Sequence, residues 1–338
     1  MPTTAPQGAK APRTAPRRSA KNTAPRGGID LGGTKIEAIV VDSENTVLAS
    51  ARRPTPTAGG PSDVAAAMVE ALQQACQAAS VEPAALHGVG VGSPGVIDGD
   101  GAVSSARNLP GWDGKFELGS ALSGQLGTKV LVGNDVQVAT DAEFELGAGQ
   151  PFESILGVFW GTGVGGGLIL GGKPWIGRGG AGEIGHVVVV KHGARCPCGR
   201  RGCMEAYAGR AAMEARARRQ VNKGKHTDLF RLMEERGRTR LTSAIWAHAL
   251  EHGDKVATKI IDKAVDALGA GVGSAVNVLD VEAVIIGGGL GVRFGDPFAE
   301  RIAAAMQPHL FHDDQPPVVR VAALGDLGGA IGAALLAR

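Results

Sequence analysis

The chain has 338 residues, enough for two ordinary domains, and its 35 Lys and Arg residues nearly balance 33 Asp and Glu residues. A formal net charge of +2 gives no electrostatic reason to expect nucleic acid or an anionic membrane as a partner, and aromatic residues, at 4%, are too few for a base-stacking surface. No apolar run reaches the roughly 20 residues of a membrane-spanning helix, so no membrane partner is expected.

Residues 1–26 are predicted to form a disordered tail. They are rich in Ala, Pro and Thr, carry basic side chains and no acid, and cannot bury enough apolar surface to fold. A transit peptide or a nucleic-acid-binding arm is the alternative, because both are rich in Arg and poor in acids. The tail has no apolar segment typical of a secretion signal, which favours a cytoplasmic protein.

Residues 28–41 predict a strand, a tight glycine turn and a second strand. Asp30 stands at the end of the first strand. Gly32, Gly33 and Thr34 form the turn, where bare backbone N–H groups could hold phosphate oxygens. The spacing is not that of a P-loop, and no helix follows directly. A plain glycine turn without a ligand explains this stretch equally well.

Two polar residues, Asn134 and Asp135, stand between a predicted strand over 129–133 and a predicted helix over 136–146. Open α/β sheets bind ligands where strands end and helices begin, so Asp135 is a candidate general base. A helix N-cap is the alternative function of such a pair, and the sequence favours neither. Upstream, the sequence predicts a helix over 61–79, a strand over 86–92 and a polar loop over 107–112.

A second strand–glycine–strand pattern is predicted over residues 155–172. Gly161 to Gly166 matches the spacing G-x-G-x-x-G, but the dinucleotide-binding fingerprint requires a helix next, and residues 167–170 predict a strand. A dinucleotide fold is therefore rejected. Two similar hairpins in two halves of the chain suggest an internal duplication with a polyphosphate held between them.

Three of the four cysteines fall within residues 183–205, which Glu183 and Glu205 bracket. Thiolates and one imidazole are the ligands of a closed structural zinc site, whereas a Cys-x-Cys pair is a strained disulfide. Buried unligated cysteines are the alternative, and the histidine could instead be a core residue or contact substrate. The predicted zinc ligands are His186, Cys196, Cys198 and Cys203.

The C-terminal part predicts helices over 210–277 and a buried strand over 282–286 that runs into Gly287, Gly288 and Gly289. Three glycines after a strand let a flat ring or a sugar lie against the backbone. A helix over 296–306, a strand over 318–322 and a closing helix over 328–338 follow. Strands that alternate with helices in both halves predict an α/β fold.

Five motifs in one order make the chain from about residue 27 onward resemble the ROK family of sugar kinases (repressor, open reading frame, kinase). The motifs are Asp30-Leu31-Gly32-Gly33-Thr34-Lys35, Asn134-Asp135, the glycine run from Gly161 to Gly167, Glu183-Ile184-Gly185-His186, and the segment from Cys196 to Glu205. The resemblance implies an actin-like, ribonuclease-H-like fold of two duplicated lobes with a zinc-stabilised loop. The expected lobes are 27–135 and 136–322, with a C-terminal helix over about 323–338 as a candidate to pack on the first lobe.

The resemblance also implies functions for individual residues. Asp135 is expected to take the proton of the primary hydroxyl of a hexose, and Asp30 to orient Mg²⁺. The remaining sugar hydroxyls would be bound by Asn108, Asn134, Glu183, His186 and Glu205. The ATP site would comprise Asp30, Gly32, Gly33, Thr34, Lys35, Gly161, Thr162, Gly163 and Gly165 at the phosphates and Gly287, Gly288 and Gly289 near the adenosine. The structural Zn²⁺ would bind His186 and the three cysteines.

The expected activity is ATP-dependent phosphorylation of glucose at its 6-hydroxyl. Kinases for N-acetylglucosamine, N-acetylmannosamine, mannose or fructose share these motifs, and polyphosphate could replace ATP. A sugar-sensing transcriptional regulator of the same family is the alternative of another class. It would carry a helix-turn-helix domain before the first hairpin, where this chain has about 26 residues. A zinc-dependent redox or structural protein would not need two phosphate hairpins. The family resemblance suggests a homodimer or homotetramer.

Overall fold

The computed structural model describes residues 24–106 and 109–338, so most of the predicted tail lies outside the described residues. The strands of this part are β1 (Arg26–Leu31), β2 (Lys35–Val41), β3 (Val47–Pro54), β4 (Val89–Ser93), β5 (Val96–Ile97), β6 (Val103–Ser104), β7 (Val130–Asn134), β8 (Ile155–Trp160), β9 (Val164–Leu170), β10 (Lys173–Pro174), β11 (Ala283–Gly287) and β12 (Val318–Val321). The helices are α1 (Pro61–Ala78), α2 (Leu118–Leu126), α3 (Asp135–Leu146), α4 (Glu205–Ala208), α5 (Arg210–Val221), α6 (Leu229–Glu235), α7 (Ser243–Glu251), α8 (Lys255–Leu279), α9 (Gly288–Phe294), α10 (Asp296–Met306) and α11 (Gly328–Leu336).

Two five-stranded sheets organise the chain, and they have the same strand order and directions. The first sheet runs β3-β2-β1-β4-β7, and the second runs β10-β9-β8-β11-β12. In each, the first three strands are antiparallel and the last two join in parallel. The two predicted glycine turns therefore occupy equivalent places, between β1 and β2 and between β8 and β9.

Helix α11 packs directly on the first sheet, although it is the last element of the chain. The approach is close because glycines replace side chains in the sheet. A Cβ atom added to Gly28 would lie 2.1 Å from the Ala330 carbonyl oxygen, and one added to Gly90 would lie 1.7 Å from that of Ala333. The chain has 53 glycines among 338 residues, and these two serve helix–sheet packing.

Helix α3 joins the two sheets, since it begins where β7 of the first sheet ends and packs on β9 of the second. The buried Gln137 side chain donates to the Leu168 carbonyl at 3.1 Å and accepts from the Leu168 N–H at 3.0 Å. A Cβ atom on Gly167 would lie 2.2 Å from the Thr140 hydroxyl oxygen. The first turn of α3 is therefore held at a fixed place between the sheets.

Each sheet has its own apolar core. The first sheet packs with α1 and α2, and the second packs with helices from α4 to α10. Trp160, at the end of β8, is fully buried in the second core. Its indole N–H donates to the Ala208 carbonyl at 2.7 Å, and its ring meets Phe294 edge-on with centroids 5.3 Å apart. The core thus anchors the strand just before the second glycine turn.

Most predicted elements are present with small shifts at their ends. The predicted helix over 61–79 is α1, and the predicted strand over 86–92 is β4, which begins later because residues 83–85 form a 3₁₀ turn. Elements that were not predicted from the sequence are β3, α2, α4, α9 and the two-residue strands β5, β6 and β10. In the described ranges, no helix has the length and apolar character needed to cross a membrane.

Candidate active site

Asp135 is the first residue of α3, and the helix cap beside it is Asn134. The Asn134 side-chain oxygen accepts hydrogen bonds from the N–H groups of Val136 and Gln137, both at 3.1 Å. The capping function is therefore filled without Asp135, whose Oδ1 accepts from the N–H of the next residue, Val136, at 3.0 Å. Of the two functions left open by the sequence, capping belongs to Asn134.

Asp30 lies at the same edge of the first sheet as Asp135. Asp30 pairs with Gly92 of β4, and the next residue of β4, Ser93, pairs with Asn134 of β7. The ends of these three parallel strands bring the two carboxylates into one electrostatic environment. An open α/β sheet binds ligands at this edge.

The pKa of the Asp135 carboxyl is raised toward neutral pH. Burial raises its pKa first, the negative charge of Asp30 second and that of Glu183 last, to about 7. Burial also raises the pKa of Asp30 to about 6, against the opposing charge of Lys35. A carboxylate with a pKa near the working pH is suited to accept a proton from a hydroxyl. The arrangement can therefore support general-base chemistry at Asp135.

His186 lies between a carboxylate and the cysteines. It ends a 3₁₀ turn that begins at Ile184. Its Nε2 is 3.8 Å from Glu183 Oε2, and its Nδ1 is 3.8 Å from Cys196 Sγ. One ring nitrogen thus faces the thiols and the other faces Glu183, whose charge also contributes to the raised pKa of Asp135.

The predicted metal ligands are brought together. One ligand atom from each of His186, Cys196, Cys198 and Cys203 lies within 4.8 Å of all the others, and the cysteines are free thiols. The Cys198 and Cys203 sulfurs are 3.7 Å apart. Two sulfurs bound tetrahedrally to zinc at ~2.3 Å lie about 3.8 Å from each other. The donor set therefore fits a closed zinc site.

Glycines at positive φ shape the loop that carries the cysteines. Gly199 has φ +92° and Gly202 has φ +84°. A Cβ atom on Gly202 would lie 1.8 Å from the Val190 carbonyl oxygen. The bend that faces the three thiols toward one point therefore depends on a residue without a side chain at position 202.

Glu205, the first residue of α4, connects this loop to the second glycine turn. Its Oε2 accepts from the Val164 N–H at 3.0 Å, and its Oε1 lies 3.7 Å from Cys196 Sγ. A Cβ atom on Gly163 would lie 2.2 Å from Glu205 Oε2, so only glycine leaves room for the carboxylate. Both oxygens of Glu205 therefore have partners within the protein.

The first glycine turn is exposed at its tip. Gly33 and Thr34 are exposed, and the Thr55 hydroxyl donates to the Gly32 carbonyl at 2.6 Å. The Lys35 ammonium lies 3.5 Å from the buried Glu37 carboxylate. The tip is therefore open to a ligand, while its base is held by side chains of the first sheet.

The second turn packs against the start of α5. The Arg210 N–H donates to the Gly161 carbonyl at 3.1 Å, and its guanidinium donates to the Thr162 hydroxyl at 2.8 Å. Arg210 is a candidate site residue that was not singled out from the sequence. The available signal was its position, immediately after the Glu205 segment and at the start of a predicted helix.

The triple glycine lies beside this second turn. Gly287 ends β11, and α9 begins at Gly288, whose φ is +78°. A Cβ atom on Gly288 would lie 2.6 Å from the Trp160 carbonyl oxygen, whereas one on Gly289 would meet nothing within 4 Å. A Cβ atom on Gly161 would lie 3.9 Å from the Gly289 nitrogen, so the two glycine segments are adjacent.

Two predicted residues do not join this geometry. Asn108 lies outside the described residues. Gly165 faces the protein, since a Cβ atom there would lie 2.6 Å from a methyl carbon of Val136. Gly165 therefore lets β9 approach the first turn of α3, next to Asp135.

Comparison with known proteins gives matches over nearly the whole chain. The sequence model of the ROK family matches residues 26–338. A glucokinase of Thermotoga maritima is 32% identical over 83% of this chain and 88% of its own length. An N-acetyl-D-glucosamine kinase of Pectobacterium atrosepticum is 30% identical over 91% of this chain and 97% of its own length. The crystal structure of a ROK family glucokinase from Streptomyces griseus, in complex with glucose and AMPPNP, matches with a TM-score of 0.79 at 31% identity, covering 92% of this chain and 98% of that one.

Proposed function

The chain belongs to the ROK family and is a two-lobed sugar kinase, and we propose that it transfers the terminal phosphoryl group of ATP to the 6-hydroxyl of glucose. The observation that carries this proposal is the place of Asp135. It lies at the start of the helix that joins the two sheets, uncommitted as a cap and with a pKa of about 7. The equivalent strand orders of the sheets support an actin-like fold of duplicated lobes.

In this mechanism the Asp135 carboxylate accepts the proton of the sugar 6-hydroxyl. As it does so, the 6-oxygen of the sugar bonds to the terminal phosphorus of ATP, and the bond between that phosphorus and ADP breaks. Phosphoryl transfer depends mainly on positioning and charge neutralisation. The glycine turns at 32–34 and 161–163 would hold the phosphates, and Arg210 adds a cation at Thr162. The open surface of Gly289, beside Gly161, suits the adenosine.

Asp30 would hold Mg²⁺, since hard cations take carboxylate oxygens and the charge of this acid acts on Asp135. The ion would supply positive charge to the phosphate oxygens. Burial raises the pKa of Asp30 to about 6 because it disfavours the ionised carboxylate, and a bound cation would stabilise that ionised form. The turn tip beside it is exposed and therefore accessible to a nucleotide.

On the sugar side, the geometry limits what each residue can do. The Asn134 oxygen is used as the cap, and its amide nitrogen donates to the Gly95 carbonyl at 3.4 Å, so one amide N–H is left for a hydroxyl. Glu183 is exposed and can accept from hydroxyls. Zinc bound by His186 and the cysteines would fix the ring so that its other nitrogen points toward the sugar. Glu205 Oε2 is used by the Val164 N–H, whereas Oε1 would be left for a sugar hydroxyl, because a Cys196 thiolate bound to zinc has no proton to donate.

Glucose is proposed because a matched structure of the family is a complex with glucose. An N-acetyl-D-glucosamine kinase matches at similar identity, so the amino sugars are the alternative substrates. The substrate choice depends on contacts to the 2-position of the sugar. A cytoplasmic location agrees with ATP as the phosphoryl donor. The homodimer or homotetramer expected from the family resemblance stays a prediction.

A coupled ADP-release assay across a hexose panel tests this function, with ATP and polyphosphate as alternative donors. We expect the highest kcat/KM with glucose and ATP. A higher kcat/KM for N-acetylglucosamine or N-acetylmannosamine would assign the chain to the amino-sugar kinases. Sugar binding by calorimetry without turnover of any sugar would favour the regulator.

A further inference from the structure

A second cluster of metal-type ligands lies outside the active site, at the C-terminal end of α7. It consists of His248 and Glu251, which lie three residues apart in the last turn of α7, and His252, the residue that caps the helix. One ligand atom of each residue lies within 4.8 Å of the others. The opposite face of α7 is buried through Ile245, Trp246 and Ala249, so the cluster faces outward.

The hydrogen bonding of His252 prepares one nitrogen for a metal. Its Nδ1 lies 2.8 Å from the backbone carbonyl oxygen of His248. A carbonyl can only accept, so Nδ1 must carry the proton, and Nε2 is left with its lone pair. Metal-binding histidines commonly hold their second nitrogen in this way, because the bond fixes the tautomer and the ring orientation.

The two rings are also held together. The centroids of His248 and His252 are 4.1 Å apart with an angle of 37° between their planes. The last carbonyl groups of the helix carry the negative end of its dipole, which favours a cation at this end. The nearest acid along the chain, Asp254, is committed elsewhere, since its carboxylate accepts from Val256, Ala257, Thr227 and Asp228. The carboxylate of Glu251 therefore completes the set.

We propose that His248, Glu251 and His252 form a binding site for a divalent transition-metal ion of the zinc and nickel class. Imidazole nitrogens with one carboxylate select such ions over Mg²⁺ and Ca²⁺, which prefer oxygen ligands. Three protein ligands leave coordination positions for water. The site uses none of the residues placed in the active site, so it stands independently of the proposed kinase activity.

Calorimetric titration of the untagged, zinc-replete protein with Ni²⁺ tests the site. We expect one Ni²⁺ per chain beyond any bound by the cysteines, and a loss of affinity by at least about tenfold in His248→Ala and in His252→Ala. His226→Ala removes an exposed histidine elsewhere and serves as the matched control. Its titration should equal that of the unaltered protein.

Zinc release is followed in the same titration with a colorimetric indicator. No release is expected, because Ni²⁺ binds at α7. Heat that is matched by equal zinc release would place the nickel at the cysteines and overturn the proposal. An unchanged titration of His252→Ala would also overturn it, as would equal competition by Mg²⁺.

Discussion

The carboxylate of Glu205 accepts a hydrogen bond from the backbone N–H of Val164 at 3.0 Å, while its other oxygen lies 3.7 Å from the sulfur of Cys196. One side chain therefore connects the cysteine cluster with the second glycine turn. The cluster also contacts His186, through Cys196, and Glu205 lies against Gly163 of that turn. We therefore expect the cluster to support both the proposed sugar site and the proposed phosphate turn.

We predict that Cys198→Ser lowers zinc content and raises the KM for glucose by about tenfold or more, because His186 loses its fixed orientation. Metal analysis and steady-state kinetics on the same preparation measure both effects. Cys76→Ala is the control, since Cys76 is buried in α1, away from the cluster. A zinc-free variant with an unchanged KM for glucose would exclude the supporting function of the metal.

The pH dependence of kcat/KM should show an acid limb near pH 7. Asp135 must be ionised to accept a proton, and its pKa is raised to about 7, so activity rises with pH through that value. In Asp30→Asn the limb should move to lower pH, because one of the charges that raises the pKa is removed. Asp141→Asn is the control: the pKa of Asp141 is also raised, to about 6, but burial and Glu145 cause that shift. A limb that stays in place in Asp30→Asn would remove the electrostatic link between the two acids.

Arg210→Gln should raise the KM for ATP roughly tenfold, equivalent to about 1.4 kcal/mol, because a charge-assisted contact at the second turn is lost. The KM for glucose should change little. Arg219→Gln alters an exposed residue of the same helix and should leave both constants as they are. Equal effects of the two substitutions would indicate that only the net charge of α5 matters.

Gly90→Ala should destabilise the fold. The new Cβ would lie 1.7 Å from the Ala333 carbonyl, and overpacking of this kind lowers the free energy of unfolding by about 1–3 kcal/mol or more. Gly124→Ala is the matched control. Nothing lies within 4 Å of its Cβ position inside α2, so alanine should stabilise the helix by about 0.5–1 kcal/mol. Thermal unfolding measures both, and a Tm for Gly90→Ala equal to that of the unaltered protein would refute the packing argument.

The sequence predicted the elements whose patterns are local. The turns at 32–34 and 161–163 were visible because glycines interrupt runs of apolar strand residues. The capping by Asn134 could not be separated from a catalytic function of Asp135, because the two alternatives use adjacent residues with the same propensity. A hydrogen bond from the Val136 N–H to the Asn134 oxygen decides the capping function, and only coordinates give it.

Contacts between distant parts of the chain could not be predicted. From the sequence, Gly28 and Gly90 are simply glycines within strands. The need for glycine at both positions comes from close packing of helix α11, more than 200 residues later. Helix α9 was missed because its first residues, Gly288 and Gly289, have the lowest helix propensity after proline, and tertiary packing overrides that preference. Strand β3 is an edge strand with no fully buried residue, so its apolar signal is weak.

The central claim is that Asp135 is the base, and the rate of glucose phosphorylation by Asp135→Asn tests it most directly. General-base catalysis contributes about 10²–10⁴-fold, so kcat should fall by that factor. Folding is checked by the Tm at pH 8. The pKa of Asp135 is raised from 3.8 to about 7 in the fold, so its ionised form destabilises the folded state at pH 8. Asparagine carries no charge and should therefore keep or raise the Tm. A folded Asp135→Asn variant that phosphorylates glucose at close to the unaltered kcat would contradict the mechanism.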